Sequence, residues 1–364
     1  MLMAPSRDAT VEDTRALTLR TISRPERRGR VIRRRVIAVP ALYVGLLVVT
    51  LALPILVVVG AMIDVVRLLR GTRAIALRLV GALWWYLFVD SLGLLAMFAF
   101  WVASGFGAAA GWFTARTYDV QRVWGPALFR GIARLFGVKL RVEGLSEMKP
   151  GPILLLMRHA SLLDTLLPLR LVTGPTGMRL RYVMKRELRA EPCIDFAGTR
   201  LPNYFIDRSS RDTERELEAL RVLARDLDAD EGVLIWPEGT RFDESVRRRA
   251  VERISESDPA LGERASGLRN VLPPRLSGTL ALLDAGYEGI VVCAHHGFDG
   301  VLRISDIVGG RLVGRTISVR FSRFDPAAVP QTREGRVDWV YDRWEEVDAW
   351  VAEKAIERMG GNDG

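Results

Sequence analysis

One histidine and one aspartate, five positions apart, have the residue types and spacing for acid–base chemistry. His159 and Asp164 lie in the segment GPILLLMRHASLLDTLLP, residues 151–168. A carboxylate that holds one ring nitrogen of a histidine selects its tautomer and leaves the other nitrogen to take a proton. In one continuous helix the two side chains would point about 140° apart. They can therefore meet only if His159 lies in a turn and Asp164 in the first helical turn after it.

A second interpretation of the same turn involves no catalysis. Ser161 and Asp164 have the spacing of a helix-starting cap, and an aspartate in a first helical turn complements the helix dipole. Pro168 interrupts any helix that follows. The chain has only three histidines, so few other imidazoles could act as a base. This segment alone leaves both interpretations open.

A second stretch, GVLIWPEGTRF at residues 232–242, predicts a strand followed by a Pro-Glu-Gly-Thr-Arg turn. Gly239 would let the backbone approach a ligand closely, and the planar guanidinium of Arg241 suits a phosphate. Glu238 could hold Arg241 in place or accept a hydrogen bond from a substrate hydroxyl. Taken alone, the stretch is equally a strand-ending turn with a surface ion pair.

Two further cations could bind a phosphate. Arg208 lies in FIDRSSRD, residues 205–212, and Lys185 lies in MKREL. Each of them alone is equally well explained as a solvated charge.

Several familiar sites are missing from the sequence. There is no phosphate-binding glycine loop of either common kind and no G-x-S-x-G elbow. The adjacent His295 and His296, even with Asp299, have poor spacing for metal ligands. Two cysteines, Cys193 and Cys293, are too few for a disulfide framework or a metal cage, and we expect both to be reduced core residues. No metal or tightly bound cofactor is therefore predicted.

The charge balance is basic, with 52 Lys and Arg against 43 Asp and Glu in 364 residues. Such an excess favours either nucleic acid or an anionic membrane surface. No zinc-finger, RNA-binding or basic-zipper pattern is present. Two long apolar runs favour the membrane, and no nucleic-acid partner is predicted.

The first third of the chain is predicted to form a membrane hairpin, residues 36–115. It follows a basic, flexible tail at residues 1–35. The first apolar run, 36–63, is uncharged over a length that suits a tilted transmembrane helix. An arginine-bearing amphipathic connector leads to the second run, 83–115, which is interrupted only by Asp90 and has aromatic residues at both ends. A buried soluble core is the alternative for both runs.

The distribution of Arg and Lys around these runs favours both ends of the hairpin in the cytosol. The arginines of the connector oppose this assignment. A hairpin that enters only one leaflet of the bilayer is the alternative.

Residues 116–364 show strands separated by helices. This pattern predicts an α/β fold with a mostly parallel central sheet flanked by helices, with ligands at the strand ends. An apolar stripe on a C-terminal helix is expected to pack against the same domain. The predicted strands are 138–143, 151–157, 180–184, 232–236, 289–294 and 315–321, and the predicted helices include 124–136, 213–228 and 244–263.

The motifs in this order resemble the glycerolipid acyltransferases of the 1-acylglycerol-3-phosphate acyltransferase family. The resemblance covers roughly residues 120–350 and rests on RHASLLD, MKREL, FIDR and PEGTR. FIDRSSRD, LPPRLSG at 272–278 and the tail WVYDRWEEVDAW resemble the branch that includes lysocardiolipin acyltransferases. Arg158 stands where the family usually has Asn, and Trp236 where it usually has Phe. Arg158 lies in the turn that contains His159 and could alter the preference for the acceptor headgroup.

The resemblance implies a reaction and a location. An acyl thioester, either acyl-CoA or acyl carrier protein, would be the co-substrate, and a lysophospholipid, foremost 1-acyl-sn-glycerol-3-phosphate, would be the acceptor. His159, oriented by Asp164, would take the proton of the acceptor hydroxyl. The substrate-binding residues would be Lys185, Arg208, Glu238, Gly239, Thr240 and Arg241. The chain would be an integral protein of the cell or inner membrane, with its catalytic domain on the cytoplasmic side and membrane lipids as partners.

Three alternatives stay open. The acceptor could be another lysolipid or a glycolipid, or the acyl group could pass between phospholipids without a thioester. The chain could also be a membrane lipid-binding protein that has the fold without the activity.

Overall fold

The computed structural model describes residues 26–149, 151–206 and 213–360. The chain divides into two compact units. The helical unit comprises Met1–Phe136 and Val172–Leu223, and the sheet unit comprises Gly137–Leu171 and Ala224–Gly364. Both cysteines are free and buried, as predicted.

Three long helices dominate the helical unit: α1 (Arg28–Leu69), α2 (Ala76–Ala103) and α3 (Ala110–Phe136). By length and composition, α1 and α2 are the two described helices able to cross a membrane. In the most apolar window of α1 only 6% of residues are buried, and in that of α2 33%. The 42 residues of α1 extend about 63 Å, which exceeds the roughly 30 Å of a bilayer's hydrocarbon core. The two helices pack together through a buried cluster that includes Leu42, Leu94 and Met97.

The connector between α1 and α2 is shorter than the sequence predicted. Asp64 lies in the last turns of α1, and its carboxylate accepts hydrogen bonds from the backbone N–H groups of Ile75, Ala76 and Leu77 at 2.7, 2.8 and 3.0 Å. These are orphan donors at the start of α2, which the carboxylate caps. Because this cap forms across the turn, both helices extend into the predicted connector.

The predicted apolar run at 83–115 is not one helix. Gly105, Phe106 and Gly107 have φ values of 70°, 57° and 91°. A right-handed helix cannot continue through such a backbone. Therefore α2 ends before this turn, and α3 begins after it and includes the predicted helix at 124–136.

The end of the predicted basic tail is helical. Arg34 and Arg35 belong to α1, and both donate to the carboxylate of Asp195 at 2.7 Å. These ion pairs hold the first turns of α1 within the helical unit. The part of the tail at residues 1–25 lies outside the described residues.

Seven strands are present in the described residues. They are β1 (Lys139–Glu143), β2 (Ile153–Met157), β3 (Arg179–Lys185), β4 (Tyr204–Ile206), β5 (Glu231–Ile235), β6 (Gly289–His296) and β7 (Thr316–Phe324). The helical unit contains β3 and β4 as a parallel pair. The sheet unit contains the other five in the order β1-β7-β6-β2-β5, with only β6 and β7 antiparallel among them. The predicted α/β fold with a mostly parallel sheet is confirmed.

The remaining helices connect and cover the strands. The α-helices of five residues or more among them are α4 (Pro192–Arg200), α5 (Thr213–Leu223), α6 (Glu244–Ser257), α7 (Pro259–Gly267), α8 (Leu276–Leu283), α9 (Ile304–Val308) and α10 (Arg333–Gly360). The single helix predicted over 244–263 is two helices, because Asp258 ends the first and caps the second ahead of Pro259. The apolar stripe of α10 is buried at Trp344, Val347 and Val351, as predicted.

Strand β2 lies between β6 and β5 and is parallel to both. All five of its side chains are buried. A continuous aliphatic run suits a strand that is covered on both faces. Because these three strands are parallel, their carboxyl ends reach the same edge of the sheet, where His159 follows β2 and Trp236 follows β5.

Candidate functional site

The turn after β2 places a histidine against an aspartate. His159 lies in the turn, and Asp164 lies in the 3₁₀ helix Leu163–Leu166 that follows. The ring Nδ1 of His159 is 3.0 Å from Oδ1 and 3.2 Å from Oδ2 of Asp164. Since an ionised carboxylate only accepts hydrogen bonds, Nδ1 carries the proton.

Asp164 is fully buried and surrounded by donors. Its Oδ2 accepts from the backbone N–H groups of Ala160 and Ser161 at 2.7 and 2.8 Å. Burial alone would raise its pKa, but His159 and His295 lower the pKa of Asp164 below the ordinary value. Asp164 is therefore ionised. The cap-like bonds and the contact with the imidazole coexist, so the two interpretations of this turn do not exclude one another.

The other ring nitrogen of His159 is available. No hydrogen bond joins Nε2 to any residue in the described part of the chain, and the ring lies beside Trp236 with centroids 5.5 Å apart. The backbone of His159 is fastened on both sides. Its N–H donates to Oε1 of Glu238 at 2.9 Å, and its carbonyl accepts from Phe242 at 2.8 Å. An imidazole that is fixed by its neighbours and has one free ring nitrogen can act as a general base.

Glu238 holds main-chain groups in the sheet unit. Its second oxygen, Oε2, accepts from the backbone N–H of Leu272 at 3.1 Å. Burial raises the pKa of Glu238 to about 8, although Arg158 and the two backbone donors oppose that rise. No ion pair joins Glu238 to Arg241 among the described residues. One of the two roles suggested by the sequence, holding Arg241, is therefore absent from this structure.

The turn at 237–241 requires glycine. Gly239 has φ of 66°, and a Cβ there would lie 2.7 Å from Cδ of Arg275. The next residue, Thr240, is half-buried. The guanidinium of Arg241 donates to the carbonyl of Leu302. Ser161, in the turn that contains His159, donates to the carbonyl of Val301 at 2.6 Å, and Val301 directly precedes Leu302. Both turns are thus attached to the same stretch of main chain.

The other two predicted cations are not brought to this site by the described contacts. Lys185 ends β3 in the helical unit and is half-buried. Arg208 lies outside the described residues. Substrate binding by either residue stays a prediction.

Three partners of Arg158 could not be recognised from the sequence. Its side chain is fully buried, so it does not offer a surface to a headgroup. Its Nη2 is 2.5 Å from Oδ1 of Asp299 and 2.7 Å from the carbonyl of Asn270, and its Nη1 donates to the carbonyl of His295 at 2.6 Å. These partners lie 112 to 141 positions away, too far for any local pattern to show them.

A second buried acidic group lies in the helical unit. One ligand atom each from Asp90, Glu191 and Cys193 falls within 4.8 Å of the others. Trp124 donates its indole N–H to Oδ1 of Asp90 at 2.8 Å. Burial, followed by the neighbouring Asp90, raises the pKa of Glu191. A raised pKa favours the protonated form of Glu191, so this group is explained as a packing contact between helices.

The helical unit also contains a cavity of about 930 Å³. That size falls within the range of roughly 300–1,000 Å³ typical of small-molecule sites. The cavity is lined mostly by apolar side chains, together with four arginines and one glutamate. The apolar lining includes Val39, Leu94, Met97, Phe98, Trp101, Phe113, Phe196 and Phe205, and the charged lining is Glu26, Arg34, Arg35, Arg189 and Arg200. Because these residues come from five separate stretches, the sequence alone did not reveal the cavity.

An imidazole held by an ionised carboxylate at the carboxyl end of a parallel strand has the geometry that acid–base chemistry needs. Residues 139–275 match the sequence model of the Acyltransferase family.

Two individual proteins are similar to the chain at low identity. One is 1-acyl-sn-glycerol-3-phosphate acyltransferase epsilon of Mus musculus, 21% identical over 237 residues that cover 60% of this chain. The chain spans about 62% of the length of that relative. The other is the crystal structure of the 1-acyl-sn-glycerophosphate (LPA) acyltransferase PlsC from Thermotoga maritima. It has a TM-score of 0.48 and 16% identity, and the match covers 78% of this chain and 96% of that chain. The resemblance to the lysocardiolipin branch stays a prediction.

Proposed function

We propose that this chain transfers an acyl group from acyl-CoA or acyl carrier protein to the free hydroxyl of a lysophospholipid. The leading acceptor is 1-acyl-sn-glycerol-3-phosphate, in phospholipid synthesis or remodelling. The observation that carries the proposal is the 3.0 Å contact between His159 Nδ1 and the ionised Asp164, which leaves Nε2 free. The family match over residues 139–275 supports the reaction class, and the name of the mouse relative supports the acceptor.

In the proposed reaction, Nε2 of His159 removes the proton from the acceptor hydroxyl. The hydroxyl oxygen attacks the thioester carbonyl, the C–S bond breaks, and the departing thiolate takes the proton back from the imidazolium. Asp164 keeps Nδ1 protonated and stabilises the imidazolium while it exists. A thiolate is a good leaving group, so no covalent acyl-enzyme is needed. General-base catalysis of this kind contributes about 10²–10⁴ in rate.

The acceptor phosphate is assigned to the cations named from the sequence. Arg241 would bind it from the turn that also contains Gly239 and Thr240, with Lys185 and Arg208 as further cations. A guanidinium that already donates to the Leu302 carbonyl is held in one orientation, and its remaining N–H groups can reach a phosphate. Glu238 would contribute by holding the His159 backbone, which positions the base against the hydroxyl.

The lipid nature of the acceptor has separate support in the helical unit. The cavity there combines an apolar lining with four arginines and a single glutamate. Asp195, which pairs with two of the arginines, adds a second negative charge, and the set still has excess positive charge. An anionic lipid with an acyl chain has the matching chemistry. Helices α1 and α2 would place the chain in the membrane, and we propose that the sheet unit faces the cytoplasm.

The decisive experiment supplies the purified full-length chain in lipid vesicles with labelled acyl-CoA and a panel of lysolipids and glycolipids. We expect labelled diacyl product from 1-acyl-sn-glycerol-3-phosphate, and none from the variant His159→Ala. Product from a different acceptor would replace the headgroup assignment. Product formed between unlabelled phospholipids would indicate transacylation. Lipid binding without any transfer by the wild type would contradict the enzymatic proposal and favour a silent lipid-binding protein.

A further inference from the structure

The proposed reaction uses neither Arg158 nor His295, yet both lie next to the His159–Asp164 pair. Arg158 precedes the proposed base in the chain, and His295 is the second-last residue of β6. Both are fully buried. Nη1 of Arg158 is 2.6 Å from the carbonyl of His295, and Nε2 of His295 is 2.9 Å from the carbonyl of Arg158. Each side chain therefore holds the main chain of the other residue.

His295 also faces the proposed catalytic carboxylate. Its Nε2 lies 3.5 Å from Oδ2 of Asp164, on the oxygen farther from the imidazole of His159. The carbonyl of Arg158 can only accept, so Nε2 of His295 carries a proton. Nδ1 of His295 is buried and has no hydrogen-bond partner among the described residues. All of the polar contacts of this ring are thus made through one N–H group.

The peptide that leads into His159 is consequently held at both ends. The carbonyl of Arg158 accepts from His295, and the N–H of His159 donates to Glu238. The guanidinium of Arg158 is locked in turn by Asp299 and the carbonyl of Asn270. A shift in this peptide would move the imidazole relative to any bound substrate.

We propose that His295 is a positioning residue for acyl transfer. Its Nε2–H holds the peptide ahead of His159 and faces Asp164, so that the base and its carboxylate keep one relative geometry. Arg158 is its reciprocal partner. This inference rests on the proposed function, because it concerns the same base. It also accounts for two features that the motifs left unexplained, the arginine before the base and the histidine at the end of β6.

The test compares two amides of nearly equal size. In His295→Gln the amide nitrogen can occupy the position of Nε2 and donate to the Arg158 carbonyl. In His295→Asn the amide nitrogen lies near the position of Nδ1 and cannot reach it. We expect Asn to lower kcat by about 10²-fold and Gln by no more than about threefold, since a small displacement of a reacting group has a cost of that order. The KM values for thioester and acceptor should stay nearly unchanged in both variants.

The neighbouring histidine provides the matched control. His296 is also buried, and its Nδ1 lies 3.0 Å from Oδ2 of Asp299, while no hydrogen bond joins its ring to Arg158 or Asp164 in the described part of the chain. At this position Asn can keep the contact of Nδ1 with Asp299 and Gln cannot, so Gln should not retain more activity than Asn, in contrast to position 295. Thermal unfolding of all four variants should be measured alongside the kinetics. Where His295→Asn is too unstable to purify, Gln and Asn are compared with the wild type in isolated membranes, at equal amounts of protein.

Three results would overturn the inference. They are equal losses in kcat for Gln and Asn at position 295, no loss for either, or a loss expressed mainly in KM. In each of these cases an active wild type and an inactive His159→Ala would leave the proposed function standing. An inactive wild type would instead remove the proposed function itself and, with it, this inference.

Discussion

Asp164 in the sheet unit and Asp90 in the helical unit are both completely buried, and the two are held very differently. Asp164 accepts from two backbone N–H groups and from an imidazole. Asp90 accepts from one indole N–H, and its Oδ2 has no donor in the described part of the chain. Both residues are 0% exposed, so burial does not separate them.

The number of donors decides what each carboxyl group can do. Several donors compensate Asp164 for the loss of water, so it stays charged and can select the tautomer of His159. Asp90 instead faces Glu191, whose pKa is raised by burial and then by Asp90 itself. Glu191 therefore keeps its proton beside Asp90, where two helices meet. At Asp164 the fold supplies enough N–H groups to keep a buried carboxylate ionised and available for chemistry.

The largest expected effect comes from removing the base. His159→Ala should lower kcat by about 10²–10⁴-fold, because His295, the other imidazole beside Asp164, is fully buried and cannot meet the acceptor hydroxyl. The protein should stay folded and bound to the membrane, as judged by thermal unfolding and vesicle flotation. Full turnover in this variant, with labelled acyl-CoA and the preferred acceptor, would end the mechanism.

The comparison of the two aspartates is tested by making the same substitution at each. Asp164→Asn should lower kcat by at least about 10²-fold, because a neutral amide neither selects the tautomer nor stabilises the imidazolium. Asp90→Asn should leave kcat near the wild-type value, since Asp90 contacts neither the base nor its partner. Equal losses in the two variants would show that both substitutions act through general destabilisation of the fold.

The phosphate assignment is tested at Arg241. Arg241→Ala should raise the KM of the acceptor by about 10-fold or more, because a charge-assisted hydrogen bond contributes about 1.5–3 kcal/mol. The KM of the thioester should change little. Arg248→Ala is the control, since this arginine is 68% exposed on α6 and pairs with Glu244 on the same helix. A rise confined to the thioester would refute the assignment.

The smallest effect concerns the pH dependence of stability. The pKa of Glu191 in the folded chain is raised above its ordinary value of 4.5 by burial and by Asp90. The stability it contributes is therefore complete below about pH 4.5 and is lost as the pH rises through the raised value. Asp90→Asn removes the neighbouring charge and should raise the midpoint of thermal unfolding at pH 8 by about 2 °C relative to the wild type. At pH 4.5 the difference should be smaller. An equal difference at both pH values would contradict a raised pKa of Glu191 caused by Asp90.

Patterns local in the sequence predicted a good part of the fold. The run ILLLM predicted β2 correctly, because an unbroken aliphatic stretch suits a strand covered on both faces. The five-residue spacing of His159 and Asp164 likewise indicated a turn followed by a helical turn, since both residues belong to one short segment. Hydropathy was less informative at 83–115, where it could not show a turn made by three residues with positive φ.

The sequence by itself determined the alternating strands and helices, the two apolar helices and the local pairing of an imidazole with a carboxylate. Only the tertiary structure decided what surrounds that pair. Glu238 reaches the His159 backbone across 79 positions, and His295 reaches Arg158 across 137. The physical reason is that a hydrogen bond depends on the distance between two atoms, and parallel strands bring together residues whose separation along the chain has no repeating pattern.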